Sequence, residues 1–95
     1  MSGQARRTRP ATLSGGQATV EALQAEGVRH VFGLIGSAAM EVFEGLYDAD
    51  DVTYVGVRDE RTGTHMADGY ARASGRAGVV LAGQNGPGAT TSSLV

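Results

Sequence analysis

Apolar residues return every three or four positions in some stretches of this chain and run together without interruption in others. The two patterns alternate. Ala18, Val20, Leu23 and Ala25 carry the first helical period, with Ser14 or Gly15 at its start and Gly27 as its stop. The run Arg29–Gly36 (RHVFGLIG) then reads as a short buried strand ending in glycine. Ser37 is a predicted N-cap for a second helix bearing Met40, Phe43, Leu46 and Tyr47, broken by the acidic turn Asp48-Ala49-Asp50-Asp51. A second strand is expected over Val52–Val57 and a third helix from Glu60 to about Ala73, closed by Ser74-Gly75. A third strand, Gly78–Ala82, enters the turn Gly83–Gly88, and Ala89 onward reads as the opening of a fourth helix. Residues 1–13 carry three of the eight arginines and almost no large apolar side chains, which predicts a flexible arm; the stretch lacks the apolar face of an amphipathic presequence.

Strands alternating with helices predict right-handed βαβ units around a parallel sheet, an α/β fold with helices on both faces. Residues 14–95 form one such domain, without an internal repeat. Three short strands make a narrow sheet, and the last helical stretch, Thr91-Ser92-Ser93-Leu94-Val95, carries no stop signal. The expectation is therefore a three-layer βα domain that is incomplete at its C-terminal end.

Composition narrows the chemistry. Eight basic against ten acidic residues give a net charge of −2, too balanced for a nucleic-acid or membrane-surface binder. Every basic residue is Arg, and with no Cys a disulfide framework, a thiolate zinc site and a cysteine nucleophile are all excluded. The longest apolar runs are about five residues, too short to span a bilayer. Glycine is the outlier: fifteen residues, about twice average usage, gathered where strands end and helices begin.

Two segments stand out. Gly83-Gln84-Asn85-Gly86-Pro87-Gly88-Ala89-Thr90 has P-loop spacing, but Ala89 stands where a phosphate-binding Lys is required, in a chain without any Lys. Thr91 likewise occupies the third glycine position of a dinucleotide fingerprint. What remains is a glycine-rich strand-to-helix turn at the edge where parallel sheets place ligands, or a structural tight turn; spacing alone leaves both open. The second segment is Arg58-Asp59-Glu60-Arg61. It reads either as a solvated charge cluster at a helix start, where carboxylates favour the dipole, or as an acid at a packed seam. Small residues on one side of the following helix (Gly63, Ala67, Ala71, Ser74) and Met66, Tyr70 and Ala73 on another favour the seam. His65 and Asp68, one turn apart, read as a polar pair on a helix flank, since their spacing does not enforce a metal site with Asp59 or Glu60. His30 reads as structural. No GxSxG or HExxH pattern is present, so serine-hydrolase and zincin readings have no support.

The run from Arg58 to Gly75 (RDERTGTHMADGYARASG) resembles the pattern HEQGAGHMADGYARASG, and Gly86-Pro87-Gly88-Ala89-Thr90 is similar to the turn SGPGATN. Both belong to thiamine diphosphate enzymes of the acetolactate synthase type. The opening helix with Ala22-Leu23, then Gly27-Val28 and Val31-Phe32-Gly33, resembles the start of their N-terminal pyrimidine-binding domain. The resemblance extends over residues 15–95. Asp59 stands where the family commonly has His, Arg61 where it has Gln or Thr, and Thr91 where it has Asn.

The resemblance implies that Glu60 is the catalytic acid bonded to N1′ of the aminopyrimidine, and that Gly86, Pro87 and Gly88 let the chain pass close to that ring. It implies a substrate-side loop formed by Gly36, Ser37 and Ala38 together with Gln84 and Asn85. The sequences Ile35-Gly36-Ser37-Ala38 and Gly83-Gln84-Asn85-Gly86 look most like sulfoacetaldehyde acetyltransferase. Thiamine diphosphate is the implied cofactor, with Mg²⁺ held by a C-terminal domain bearing a GDG…N motif that this chain lacks. The implied setting is a cytoplasmic homodimer or homotetramer, acting as a lyase or transferase on a 2-oxo acid or aldehyde, with no metal ligand from these residues. A different class of reading is a truncated, non-catalytic βα module that only pairs with another chain.

Overall fold

A computed structural model describes residues 12–36, 39–83 and 86–87. Six elements follow one another: α1 (Gly15–Ala25), β1 (His30–Gly33), α2 (Met40–Asp48), β2 (Thr53–Gly56), α3 (Glu60–Ser74) and β3 (Val79–Leu81). All three strands run parallel in the order β2-β1-β3. The α/β expectation is met. The flexible-arm reading falls almost entirely outside the described residues, as does the fourth helix expected from Ala89.

The first helix is fixed at both ends by its own sequence. The Ser14 hydroxyl accepts the Gln17 amide at 3.1 Å, while the Gln17 side chain accepts the Ser14 amide at 2.9 Å, a reciprocal capping box. At the other end Gly27, with φ of 81°, lets its amide reach Gln24 O and the Val28 amide reach Leu23 O, each at 3.0 Å. That pair of bonds is a complete Schellman stop. Helix α3 is capped by Asp59 and ends at Gly75, also left-handed, with φ of 73°.

The strands are shorter than their apolar runs. β1 leaves the ladder at Gly33 because its neighbours end opposite it, at Gly56 on one side and Leu81 on the other. A parallel strand keeps its pairing only as far as both partners extend. Leu34, Ile35 and Gly36 therefore form a loop at the C-terminal edge of the sheet. The second helix also begins later than Ser37 capping would require. Its N-cap is Ala39, which makes no side-chain cap, and its amide donates to Gly36 O at 3.1 Å.

Register explains the layers. Val31 pairs with Tyr54 and Val79 on one face, while Phe32 pairs with Val55 and Val80 on the other. The first face is covered by α1 and α2, whose Val20 and Leu46 form the buried cluster with Val31 and Val52. On the second face, Tyr70 of α3 packs edge-on to Phe32 and tilted against His30, at centroid separations of 5.9 and 5.3 Å. Val31, 1% exposed, is the centre of the core.

Helices α1 and α2 meet through glycine. A Cβ at Gly16 would run into the backbone carbonyl of Glu41, so Gly16→Ala should lower stability by about 1–3 kcal/mol. Gly69, inside α3, faces open space within 4 Å, so Gly69→Ala should raise stability by about 0.5–1 kcal/mol. Urea denaturation of both variants checks the pair. Shifts of the same sign would contradict this packing.

Candidate functional site

The parallel arrangement puts the C-terminal ends of all three strands on one edge. Glu60 reaches that edge as the first residue of α3, after the short connection Val57-Arg58-Asp59. Its neighbour Asp59 does the capping. Asp59 Oδ1 accepts the Arg61 amide at 2.9 Å, and the Arg61 guanidinium adds bonds of 3.3 and 2.9 Å to the two carboxylate oxygens. These bonds hold Asp59 below the usual carboxylate range, chiefly through the Arg61 side chain and then its amide. The pair is exposed, at 60% and 41%. The solvated-cluster reading thus fits Asp59 and Arg61, whereas Glu60 is half-buried and turned elsewhere.

What Glu60 meets is the glycine-rich turn. Gly86 is buried, and its amide donates to Gly83 O at 2.9 Å. A Cβ placed on Gly86 would lie 2.5 Å from Ala82 Cβ, 3.0 Å from Glu60 Cγ and 3.3 Å from Glu60 Oε2. No side chain fits there, so glycine is what allows the turn to rest against the acid. The two motifs read separately from the sequence therefore meet at one edge of the sheet. Among the described residues, no side chain hydrogen-bonds to the Glu60 carboxylate; the Glu60 main-chain carbonyl accepts Thr64 Oγ1 at 3.2 Å.

The loop after β1 closes the same edge. A Cβ on Gly36 would stand 3.6 Å from Gly83 Cα, so the two backbones adjoin. Gly36 and Gly86 are thus brought to one edge with Glu60, and Pro87 follows Gly86 as an exposed residue. Ser37, Ala38, Gln84, Asn85 and Gly88 lie outside the described residues. Gly83, the first residue of the glycine-rich segment, adjoins Gly36 and so joins the two loops. His65 is exposed, and Asp68 pairs with Arg72 at 3.0 Å one turn along α3. Among the described residues no three His, Asp or Glu side chains gather as a metal-holding group, and no helix is long and apolar enough to cross a membrane.

Residues 13–94 match the sequence profile of the family described as thiamine pyrophosphate enzyme, N-terminal TPP binding domain. The chain belongs to that family. Curated relatives agree with this membership. The acetolactate synthase large subunit of Buchnera aphidicola subsp. Schizaphis graminum is 44% identical over 78 residues, 82% of this chain and 14% of the relative. The isozyme 3 large subunit of Escherichia coli is 45% identical over 78 residues, 82% of this chain and 13% of the relative. The acetolactate synthase of Mycobacterium avium is 39% identical over 88 residues, 93% of this chain and 14% of the relative. The chain thus spans about one seventh of the length of these relatives. Its core, a three-stranded parallel sheet between helices, is an acetolactate synthase-like TPP-binding domain fold.

The Asp59–Arg61 pair gives a prediction for pH. A carboxylate whose folded-state pKa is depressed contributes stability above its unfolded value, near 3.8 here, and loses it as pH falls through the folded value. Asp59→Asn retains a capping oxygen but removes the charge. Between neutral pH and pH 3 the urea midpoint of the native chain should therefore fall further than that of Asp59→Asn. Parallel pH profiles for the two proteins would show that the pair contributes nothing.

Proposed function

We propose that this chain supplies the aminopyrimidine-facing part of a thiamine diphosphate site, with Glu60 as the acid that acts on the cofactor. The supporting observation is the approach of Gly86 to the Glu60 side chain, a gap that a Cβ would fill. When bound, thiamine diphosphate supplies a thiazolium carbon that becomes nucleophilic toward a carbonyl on losing its proton. Glu60 would hydrogen-bond pyrimidine N1′ and hold or move a proton at that atom. A half-buried carboxyl at the edge of the sheet suits this role, because it stands between the turn and solvent where a flat ring can reach it. Gly86 keeps the turn low enough for a flat ring to lie beside the acid. Asp59 holds the start of α3 and takes up the Arg61 cation, leaving the Glu60 carboxylate clear of that partner.

Pro87 and Gly88 continue the cofactor-side turn, and Gly36, Ser37, Ala38, Gln84 and Asn85 form the substrate side. Residues 14–95 are the pyrimidine-binding part. The diphosphate and Mg²⁺ belong to a separate domain, in a cytoplasmic homodimer or homotetramer. The substrate is a 2-oxo acid or an aldehyde. Within that class, the loop sequences Ile35-Gly36-Ser37-Ala38 and Gly83-Gln84-Asn85-Gly86 favour sulfoacetaldehyde with phosphate as acceptor over a second 2-oxo acid.

The test grafts residues 14–95 in place of the matching segment of the Escherichia coli isozyme 3 large subunit. Glu60→Gln in that chimera should lower turnover about 10²- to 10⁴-fold. Half-saturation by thiamine diphosphate should change by less than about tenfold, roughly 1.4 kcal/mol. Gly86→Ala should weaken cofactor binding, since its Cβ has no room beside Glu60. Undiminished proton exchange at the thiazolium C2 in Glu60→Gln would return Glu60 to the role of a helix-start carboxylate. Assaying pyruvate against sulfoacetaldehyde plus phosphate separates the two substrate readings.

A further inference from the structure

One polar contact in the sheet lies outside the Glu60–Gly86 site. Tyr54 lies on β2, half-buried on the face covered by α2, with Phe43 edge-on to its ring at 5.2 Å and 81°. Its ring passes over Gly56, where a Cβ would stand 3.4 Å from Tyr54 Cε2. From there its hydroxyl donates to Gly33 O at 2.8 Å. The same carbonyl accepts the Val57 amide at 2.9 Å. Gly33 O is thus doubly held, at the last paired residue of β1.

The placement of this bond matters more than its presence. Gly33 is where β1 turns into the loop that carries Gly36 against Gly83, and Val57 opens the connection to Glu60. On the other side the Leu34 amide donates to Leu81 O at 3.3 Å, and Gly33 has no room for a Cβ beside that same carbonyl, which would lie 2.5 Å away. A single backbone group therefore ties together the ends of all three strands. A valine or isoleucine at position 54 would fill the same sheet face without the hydroxyl.

We infer that Tyr54 is a positioning residue for the Glu60 site: by bonding Gly33 O it fixes the end of β1, and through Leu34–Leu81 and Gly36–Gly83 it sets where Gly86 rests against Glu60. Burial raises the Tyr54 pKa above its usual value of 10, so the hydroxyl stays a donor throughout the working pH range. The inference rests on the proposed role of Glu60 for its meaning in catalysis, but not for its geometry.

The test is made on the full 95-residue chain, isotope-labelled, by amide hydrogen exchange and nuclear Overhauser contacts in native and Tyr54→Phe proteins. The phenylalanine keeps the ring, its packing on Gly56 and its edge contact with Phe43. Exchange at the Leu34 and Gly86 amides should rise about tenfold, as expected for local opening, while Val31 and Phe32 keep their native rates. The contact between Gly86 Hα and Glu60 Hγ should weaken in the same sample. A uniform rise at all four amides would make the hydroxyl a general stabiliser and overturn the inference. Unchanged exchange, an intact Gly86–Glu60 contact or outright unfolding of Tyr54→Phe would each overturn it too. Glu60→Gln leaves the Tyr54 hydroxyl in place, so failure of the Glu60 reading and failure of this one are told apart.

Discussion

The structure is organised around the double coverage of β1. This strand has a neighbour along each edge and a helix layer over each face, so Val31 and Phe32, adjacent in sequence, are buried on opposite sides. An interior parallel strand of this kind cannot leave its amides or its side chains to water. The flanking strands must then end together, and that common end is where the chain has spare backbone to spend on loops. Gly36, Gly83 and Gly86 meet there because the ladder stops there.

Adjacent acids illustrate how position divides labour. Asp59 and Glu60 differ by one methylene and one place in the chain. Asp59 sits at the cap with extended backbone, where its short side chain folds onto the Arg61 amide. Glu60 is already helical, so its side chain leaves the axis in another direction and meets the turn after β3. Swapping their roles is not open to them. An aspartate at the second place would carry its carboxylate one methylene nearer the helix axis, and a glutamate is a poorer cap than an aspartate.

Much of this could be read along the chain, because the deciding signals are local. Ser14 with Gln17, Gly27 and Gly75 mark helix ends through bonds spanning a few residues, and those ends appear where the sequence puts them. The strand limits were less legible, since Leu34 and Ile35 are as apolar as Val31; only the lengths of the partner strands exclude them from the ladder. Helix α2 begins at Met40 after Ala39, which offers no capping side chain and whose amide is held by Gly36 O instead. In the site, Glu60 and Gly86 could each be singled out by residue type. Their contact could not, nor could the Gly36–Gly83 approach or the Tyr54 bond, since these depend on strand order.

That order also has a kinetic side. With the sequence β1-α2-β2-α3-β3 laid out as β2-β1-β3, the first ladder closes over a short stretch of chain, while the second must wait for a strand nearly fifty residues further on. Closing the longer loop costs more chain entropy before any contact offsets it. As the polypeptide leaves the ribosome, α1, β1, α2 and β2 can assemble first, with one flank of β1 open until residue 81 has emerged. Gly86 follows directly behind that strand. The acid at the head of α3 thus gains its neighbour only after β3 has joined β1.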